Sequence, residues 1–408
     1  MTRDQQREKN MKARTVWKSW LRIAATLGAM LGMTVAVTAC GGDDSASNSS
    51  TTTSSGQAAT SGASDGEPDY DAMLAGLYEG TYREPSGPVL DKPAAGKDVW
   101  VVANGMNAES SANVAAGVQE AGKKLGWNVK VFDSRFEPTR MLSGVQQAVA
   151  AGADGIVTIY IDCSAVKNGL AQAKKAGIPT INVDAGECDT PSFTTSVQYP
   201  GFEDYEAFIR AWAGGQAAYA VAKTKGKAKV IMNTGTDLAV TRIGSKGAYD
   251  ELKKCSGCEV VGDAEFVSAD FGPPLQSKIS QQLLKHPEAD VFIASYDAVL
   301  TSGGAQAIKS SGRQDELLVV GGEGSAEGIK LIAGNGGMDA CSGTPTEMQG
   351  YATVNYLAVL FAGKSLDDVD NGIGIQICDK DHNLPPAGQG FQAPLDYKAT
   401  YDRLWSLK

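Results

Sequence analysis

Short hydrophobic runs alternate with longer segments of helical periodicity through most of the chain. Continuous apolar strands alternating with helices are typical of a parallel sheet that is covered on both faces. Two such series occur, separated by a break at 190–201. The predicted strands are 98–103, 128–132, 155–159 and 179–183 in the first series, and 228–233, 259–266, 291–294 and 317–320 in the second. The pattern predicts an α/β protein with two doubly wound parallel-sheet lobes, with a ligand outside the carboxyl ends of the strands.

Helices are predicted between these strands and after them. They cover 111–125, 139–151, 164–176, 205–223, 242–254, 274–285, 298–311 and 326–332. A strand at 338–340, a helix at 347–361 and a strand at 373–377 follow as single elements.

The N-terminus has the features of an export signal. Residues 1–22 are rich in Lys and Arg, and residues 23–39 carry no charge. A basic segment before an apolar one is typical of a signal peptide, so 1–39 is predicted to be removed. The small residues before Cys40 resemble a lipobox, in which the cysteine becomes lipidated. An uncleaved membrane anchor is the alternative, and translation could start at Met1 or Met11.

Residues 40–96 are predicted to form a tether and a lead-in to the first lobe. From 41 to 66 the chain is mainly Ser, Thr, Gly and Ala without an aromatic residue, which favours a flexible tether. The G-x-S-x-G pattern at 62–66 lacks the strand and helix that a catalytic serine requires. A short helix is expected at 72–78, packed on the outside of the first lobe.

Composition excludes several functions. The formal net charge of −10 disfavours a nucleic-acid partner, and two His leave little for His-based metal sites or a Ser-His-Asp triad. The glycines at 321–324 match neither common nucleotide-binding motif. We therefore expect no enzyme activity, no cofactor and no metal. Carboxylates at strand ends are interpreted as hydrogen-bond acceptors that bind a polar ligand.

Six cysteines follow Cys40, an even number that favours disulfides in an exported chain. Cys163 and Cys188 follow neighbouring strands of the first series, and Cys255 lies three residues before Cys258. The predicted pairs are Cys163–Cys188, Cys255–Cys258 and Cys341–Cys378. A redox role for the Cys255–Cys258 pair is the alternative, but such a pair usually opens a helix, whereas this one closes a predicted helix.

Together these features resemble the ribose/sugar-binding proteins of the type I periplasmic-binding-protein fold, which supply ABC importers. The motifs that carry the resemblance are at 103–107, 152–156, 176–179, 269–271, 296–297 and 320–324, with Asp184 closing the fourth strand. The family's chain crosses between its lobes three times, which implies hinges near 201, 343 and 377. The resemblance thus implies an N-terminal lobe of 97–201 plus 344–376 and a C-terminal lobe of 202–343 plus 377–408.

The resemblance also implies a binding site. The family's polar positions fall on Asn107, Asp184 and Arg242, and its second-lobe aromatic falls on Phe271. Where the family has other residues, this chain has Glu109, Ser110, Tyr160, Tyr296 and Glu323, and the hinge glutamine has no clear equivalent in 343–349. The tryptophans at 100, 127 and 212 are interpreted as core residues.

The expected function is a monomeric, lipid-anchored binding protein on the outer face of the cell membrane. Without residues 1–39 the chain has 30 basic and 45 acidic side chains, so the lipid on Cys40, not a basic surface, would hold it at the membrane. It would deliver a small polar ligand, most simply a sugar, to an ABC permease. Delivery to a membrane sensor, a cationic or nucleoside-like ligand, and an extracellular enzyme are the alternatives.

Overall fold

The computed structural model of the protein describes residues 68–199 and 201–407. The predicted signal peptide, Cys40 and the tether at 41–66 lie outside the described residues. Within the described ranges no helix is both long and apolar enough to cross a bilayer.

The first sheet has five parallel strands in the order β2-β1-β3-β4-β5. These strands are β1 (Asp98–Ala103), β2 (Asn128–Asp133), β3 (Gly155–Ile159), β4 (Thr180–Val183) and β5 (Thr195–Ser196). Every residue of β3 and β4 is buried, as their unbroken apolar runs predict. The helices of this series are α2 (Glu109–Lys124), α3 (Pro138–Ala150) and α4 (Cys163–Lys175), preceded by α1 (Tyr70–Glu79).

The second sheet has six strands in the order β11-β10-β9-β8-β6-β7. They are β6 (Lys229–Met232), β7 (Glu259–Asp263), β8 (Val291–Ile293), β9 (Leu318–Gly321), β10 (Ala340–Gly343) and β11 (Gln376–Asp379). All neighbours are parallel except β10 and β11, which are antiparallel. The two doubly wound lobes predicted from the hydrophobic pattern are confirmed, and we call them the N-terminal and C-terminal lobes by their sheets.

The helices around the second sheet begin with α5 (Tyr205–Lys223), whose bounds are those predicted. They continue with α6 (Ala239–Leu252), α7 (Pro273–Lys285), α8 (297–310), α9 (Ala326–Ala333), α10 (Thr346–Phe361) and α11 (Tyr397–Leu404). The prediction of one continuous helix at 298–311 is wrong. Element α8 is broken into Asp297–Val299, a π turn at Leu300–Gly304 and Ala305–Ser310, because Gly303 has a φ of 134°.

Close helix crossings hold each lobe together. In the N-terminal lobe α2 packs on α10, and a Cβ on Gly117 would lie 2.2 Å from the carbonyl oxygen of Glu347. In the C-terminal lobe α5 packs on α6, and a Cβ on Gly247 would lie 2.3 Å from the carbonyl oxygen of Arg210. Only glycine permits backbones to approach this closely.

All three predicted disulfides are confirmed. Cys163–Cys188 joins the segments after β3 and β4. Cys341 and Cys378 face each other across the antiparallel β10–β11 pair. The Cys255–Cys258 bridge lies between the end of α6 and the start of β7. It therefore follows a helix, as expected for a structural disulfide, and does not open one, as a redox pair usually does.

The lead-in does not pack on the first lobe in the way that was predicted. Helix α1 contacts α5 and β11, which belong to the C-terminal lobe. The next residues run along 370–375, where Thr81 N–H donates to the Ile375 carbonyl and Arg83 N–H to the Gly372 carbonyl. The chain reaches the N-terminal lobe only afterwards, where Gly96 N–H donates to Gly126. Residues 70–96 therefore contact both lobes.

The last helix also departs from prediction. Helix α11 was not predicted, and 377–408 was assigned to the C-terminal lobe. Instead α11 contacts α10, and Lys124 of α2 binds the Asp402 carboxylate at 2.8 Å. Tyr397 and Tyr401 of α11 pack against Tyr351, and the ring of Trp405, which follows the helix, is stacked on Tyr351. The remaining lobe boundaries stay a prediction.

Candidate ligand-binding site

A cavity of about 720 Å³, including its mouth, lies between the carboxyl ends of the two sheets. Asn104, Tyr160 and Asp184 reach it from the loops after β1, β3 and β4. Tyr296 and Glu323 reach it from the loops after β8 and β9. Parallel strands bring their carboxyl ends to one edge, which explains why residues so distant in sequence meet here.

Asp184 is held at the floor of the cavity in an unusual backbone conformation. Its φ is 46°, and Tyr160 has a φ of 53°, in the left-handed region that residues other than glycine seldom adopt. Such conformations concentrate at functional sites. The Asp184 carboxylate accepts hydrogen bonds from the Tyr199 hydroxyl and from Gln349 Nε2. Burial raises the pKa of Asp184 to about 6, although these two bonds act in the opposite direction.

Glu323 is the acid of the opposite lobe. Its side chain is 9% exposed and accepts a hydrogen bond from the backbone N–H of Asp297 at 3.2 Å. Burial and the neighbouring Asp297 carboxylate raise the pKa of Glu323 to about 8. Asp297 does not line the cavity; it accepts bonds from Gly322 N–H and from Ser325, and so orders the loop that carries Glu323.

Aromatic rings form much of the remaining wall. Tyr160 and Tyr296 face the cavity, together with Phe136, Phe208 and Trp212. Burial raises the pKa of both tyrosines, so each hydroxyl remains a neutral donor and acceptor. Rings of this kind provide flat apolar faces, and their faces are also electron-rich.

Three residues assigned by resemblance are not among the cavity-lining residues. Asn107 is exposed in the turn before α2, whereas Asn104 is buried and lines the cavity. Arg242 is half-exposed and donates to the Thr236 carbonyl. Phe271 packs behind the wall, its ring centroid 6.0 Å from that of Tyr296 and 6.5 Å from that of Phe136. The assignments of Ser110, Tyr160, Asp184, Tyr296 and Glu323 agree with the lining of the cavity.

Glu109 bridges the lobes at a second depression beside this cavity. Its carboxylate accepts hydrogen bonds from the backbone N–H groups of Ala326 at 2.6 Å and Glu327 at 3.4 Å, which open helix α9. Asp162 of the N-terminal lobe makes the equivalent contact with the Ala239 N–H, at the start of α6. Unpaired N–H groups and the helix dipole favour a carboxylate at such positions. Two carboxylates of one lobe therefore hold two helix N-termini of the other.

Sequence reasoning missed four contributors to the site. Gln349 in the first turns of α10 donates a hydrogen bond to Asp184. Trp212 is buried in the core, as predicted, but it also lines the cavity and donates its indole N–H to the Ser342 carbonyl. Tyr199 and Phe136 carry no motif and are brought in by the fold alone.

The comparisons with known proteins agree with this fold. A family model described as a periplasmic binding protein domain matches residues 99–365. The chain belongs to this family. The family consists of binding proteins, so the protein is not an enzyme, as predicted.

The most informative relatives are two bacterial ribose import binding proteins. That of Bacillus subtilis is 25% identical over 223 residues, which are 53% of this chain and 66% of that protein, about two thirds of its length. That of Salmonella typhimurium is 27% identical over 245 residues, 59% of this chain and 77% of that protein. A glucose-galactose binding protein from Geobacillus stearothermophilus has a similar fold, with a TM-score of 0.61 at 21% identity, over 72% of this chain and 100% of that one.

Proposed function

We propose that this protein is the solute-binding subunit of an ABC importer for a sugar or a sugar-like compound. The observation that carries the proposal is the cavity between the lobes, with buried acids contributed from both sides. The names of the relatives point to the same class of solute. The two lobes enclose the solute, and the closed protein presents it to a permease as a monomer.

The polar groups of the cavity suit a polyhydroxylated ring. A buried hydroxyl that lacks a partner costs about 1–3 kcal/mol. Asp184, Glu323 and Asn104 supply acceptors, while the tyrosines offer flat surfaces for the apolar faces of a ring. A ligand that contacts both lobes shifts the equilibrium toward closure by its differential affinity for that state.

Equilibrium dialysis of the full-length protein against a metabolite extract of its host tests this function. We expect one polyhydroxylated small molecule to be retained at a ratio of one per chain, as mass spectrometry would identify. Retention of no small molecule would contradict the proposal.

We further propose that a lipid on Cys40 holds the protein on the outer face of the membrane. The support is the position of Cys40 directly after the apolar segment that ends at Ala39. Replacing Cys40 with alanine should move the protein from the membrane fraction to the soluble fraction or leave it unprocessed. An unchanged membrane-bound protein of unchanged mass would rule out the lipid anchor.

A further inference from the structure

We propose that the solute carries a protonated amine, which Asp184 and Glu323 bind from opposite lobes. This inference rests on the proposed function and specifies its substrate class as an amino-substituted sugar or cyclitol. Neither the family match nor the names of the two ribose relatives imply a positive charge on the ligand.

The first support is the imbalance of charge around the cavity. The carboxyl groups that act on the two cavity tyrosines, Tyr160 and Tyr296, are Asp184, Asp237 and Glu323, and Glu109 acts on the buried Asp297. Among the residues that the structure describes, no lysine or arginine lines the cavity. Arg242 lies 3.9 Å from Asp162, but its side chain is 50% exposed and donates to the Thr236 carbonyl.

The second support is the cost of burying these two acids without a counter-ion. Asp184 is 7% exposed and Glu323 is 9% exposed, and a buried carboxylate is stabilised mainly by pairing with a cation. A neutral sugar can donate hydroxyls to them but supplies no positive charge, so a carboxyl group that ionises beside it has no counter-ion. A protonated amine supplies a positive charge and up to three N–H donors. It therefore offsets the free-energy cost of burying the two acids, which a neutral ligand would increase.

The aromatic wall gives the third support. Tyr160 lies in the electric field of both carboxyl groups, and Tyr296 lies in that of Glu323. The faces of such rings attract a cation, and this attraction is strongest where water is excluded. The rings and the acids therefore favour the same kind of ligand.

Protonation should be coupled to binding in a direction that reports the charge of the ligand. At pH 7 Glu323, with its pKa of about 8, is mostly protonated in the ligand-free protein. A cation between Asp184 and Glu323 favours their ionised forms, so binding should release about one proton. A neutral ligand, which only removes water from the acids, would favour uptake of protons.

The solute retained in the dialysis experiment provides the test. We expect a molecule with a basic nitrogen, whose N-acetyl derivative binds about 10- to 150-fold more weakly. Calorimetry in two buffers of different ionisation enthalpy should show proton release at pH 7. Glu323→Gln should remove this release and weaken binding by a similar factor, whereas Glu265→Gln, at an exposed position of the same lobe, should change neither.

The other possible outcomes of these experiments distinguish a wrong ligand class from a wrong function. A retained neutral sugar, an N-acetyl derivative that binds equally well, or proton uptake would overturn the assignment of a cationic ligand and leave the importer function intact. Retention of no small molecule would count against the proposed function itself.

Discussion

Replacing Asp184 with asparagine is expected to weaken binding of the retained solute by about 30- to 1,000-fold, which corresponds to about 2–4 kcal/mol. Asparagine keeps the shape of the side chain and tolerates the φ of 46° at this position, so the backbone should not change. What is lost is the negative charge and one of the acceptors from the floor of the cavity.

The same substitution is expected to stabilise the ligand-free protein at neutral pH. Burial raises the pKa of Asp184 to about 6 from an ordinary value of 3.8, so above pH 6 the folded protein bears the cost of an ionised buried acid. This cost is absent below about pH 4 and complete above pH 6, where it reaches about 3 kcal/mol. Stability gained together with affinity lost is typical of a binding residue.

Urea unfolding of both proteins at pH 4 and pH 8, with calorimetry of ligand binding, checks these two expectations. The stability difference should appear only at pH 8. Wild-type affinity in the variant would show that Asp184 does not contact the ligand. A loss of stability at both pH values would instead mean that its bonds to Tyr199 and Gln349 serve the fold.

Replacing Glu109 with alanine is expected to weaken ligand binding by about 5- to 30-fold, chiefly through faster dissociation. The carboxylate accepts two N–H groups at the start of α9 across the lobes, and both bonds break when the lobes separate. We assign this partly exposed contact a contribution of about 1–2 kcal/mol to the free energy of the closed state. Solvent weakens both the hydrogen bonds to the carboxylate and its interaction with the helix dipole. The variant should therefore open more readily without any change in the cavity lining.

Glu137→Ala is the matched control for Glu109→Ala. It removes the same charge from an exposed position of the same lobe, at the start of α3, and its side chain makes no capping bond. Stopped-flow dissociation should be unchanged in this variant. Equal dissociation rates for wild type and Glu109→Ala would show that the contact with α9 does not hold the lobes together.

Two of the residues missed at the site lie on long helices. A side chain of such a helix that faces a cavity has the same local pattern as one that faces the core, which is why Gln349 and Trp212 were not recognised. Asn107 and Arg242 were assigned by resemblance to the family, and the structure places neither of them in the lining of the cavity. A shift of three residues, from Asn107 to Asn104, separates an exposed side chain from a buried one.

The amino-acid sequence determined the alternation of strands and helices. The hydrophobic pattern of each segment matches the face that the segment buries, so it can be recognised without knowledge of the rest of the chain. It also determined the disulfide pairs, since parallel neighbours and short spacing restrict which cysteines can meet. Tertiary structure alone decided that residues 70–96 and 397–404 pack where they do, and which acids share the cavity. Such contacts depend on the relative positions of elements far apart in the chain, and no local pattern records that geometry.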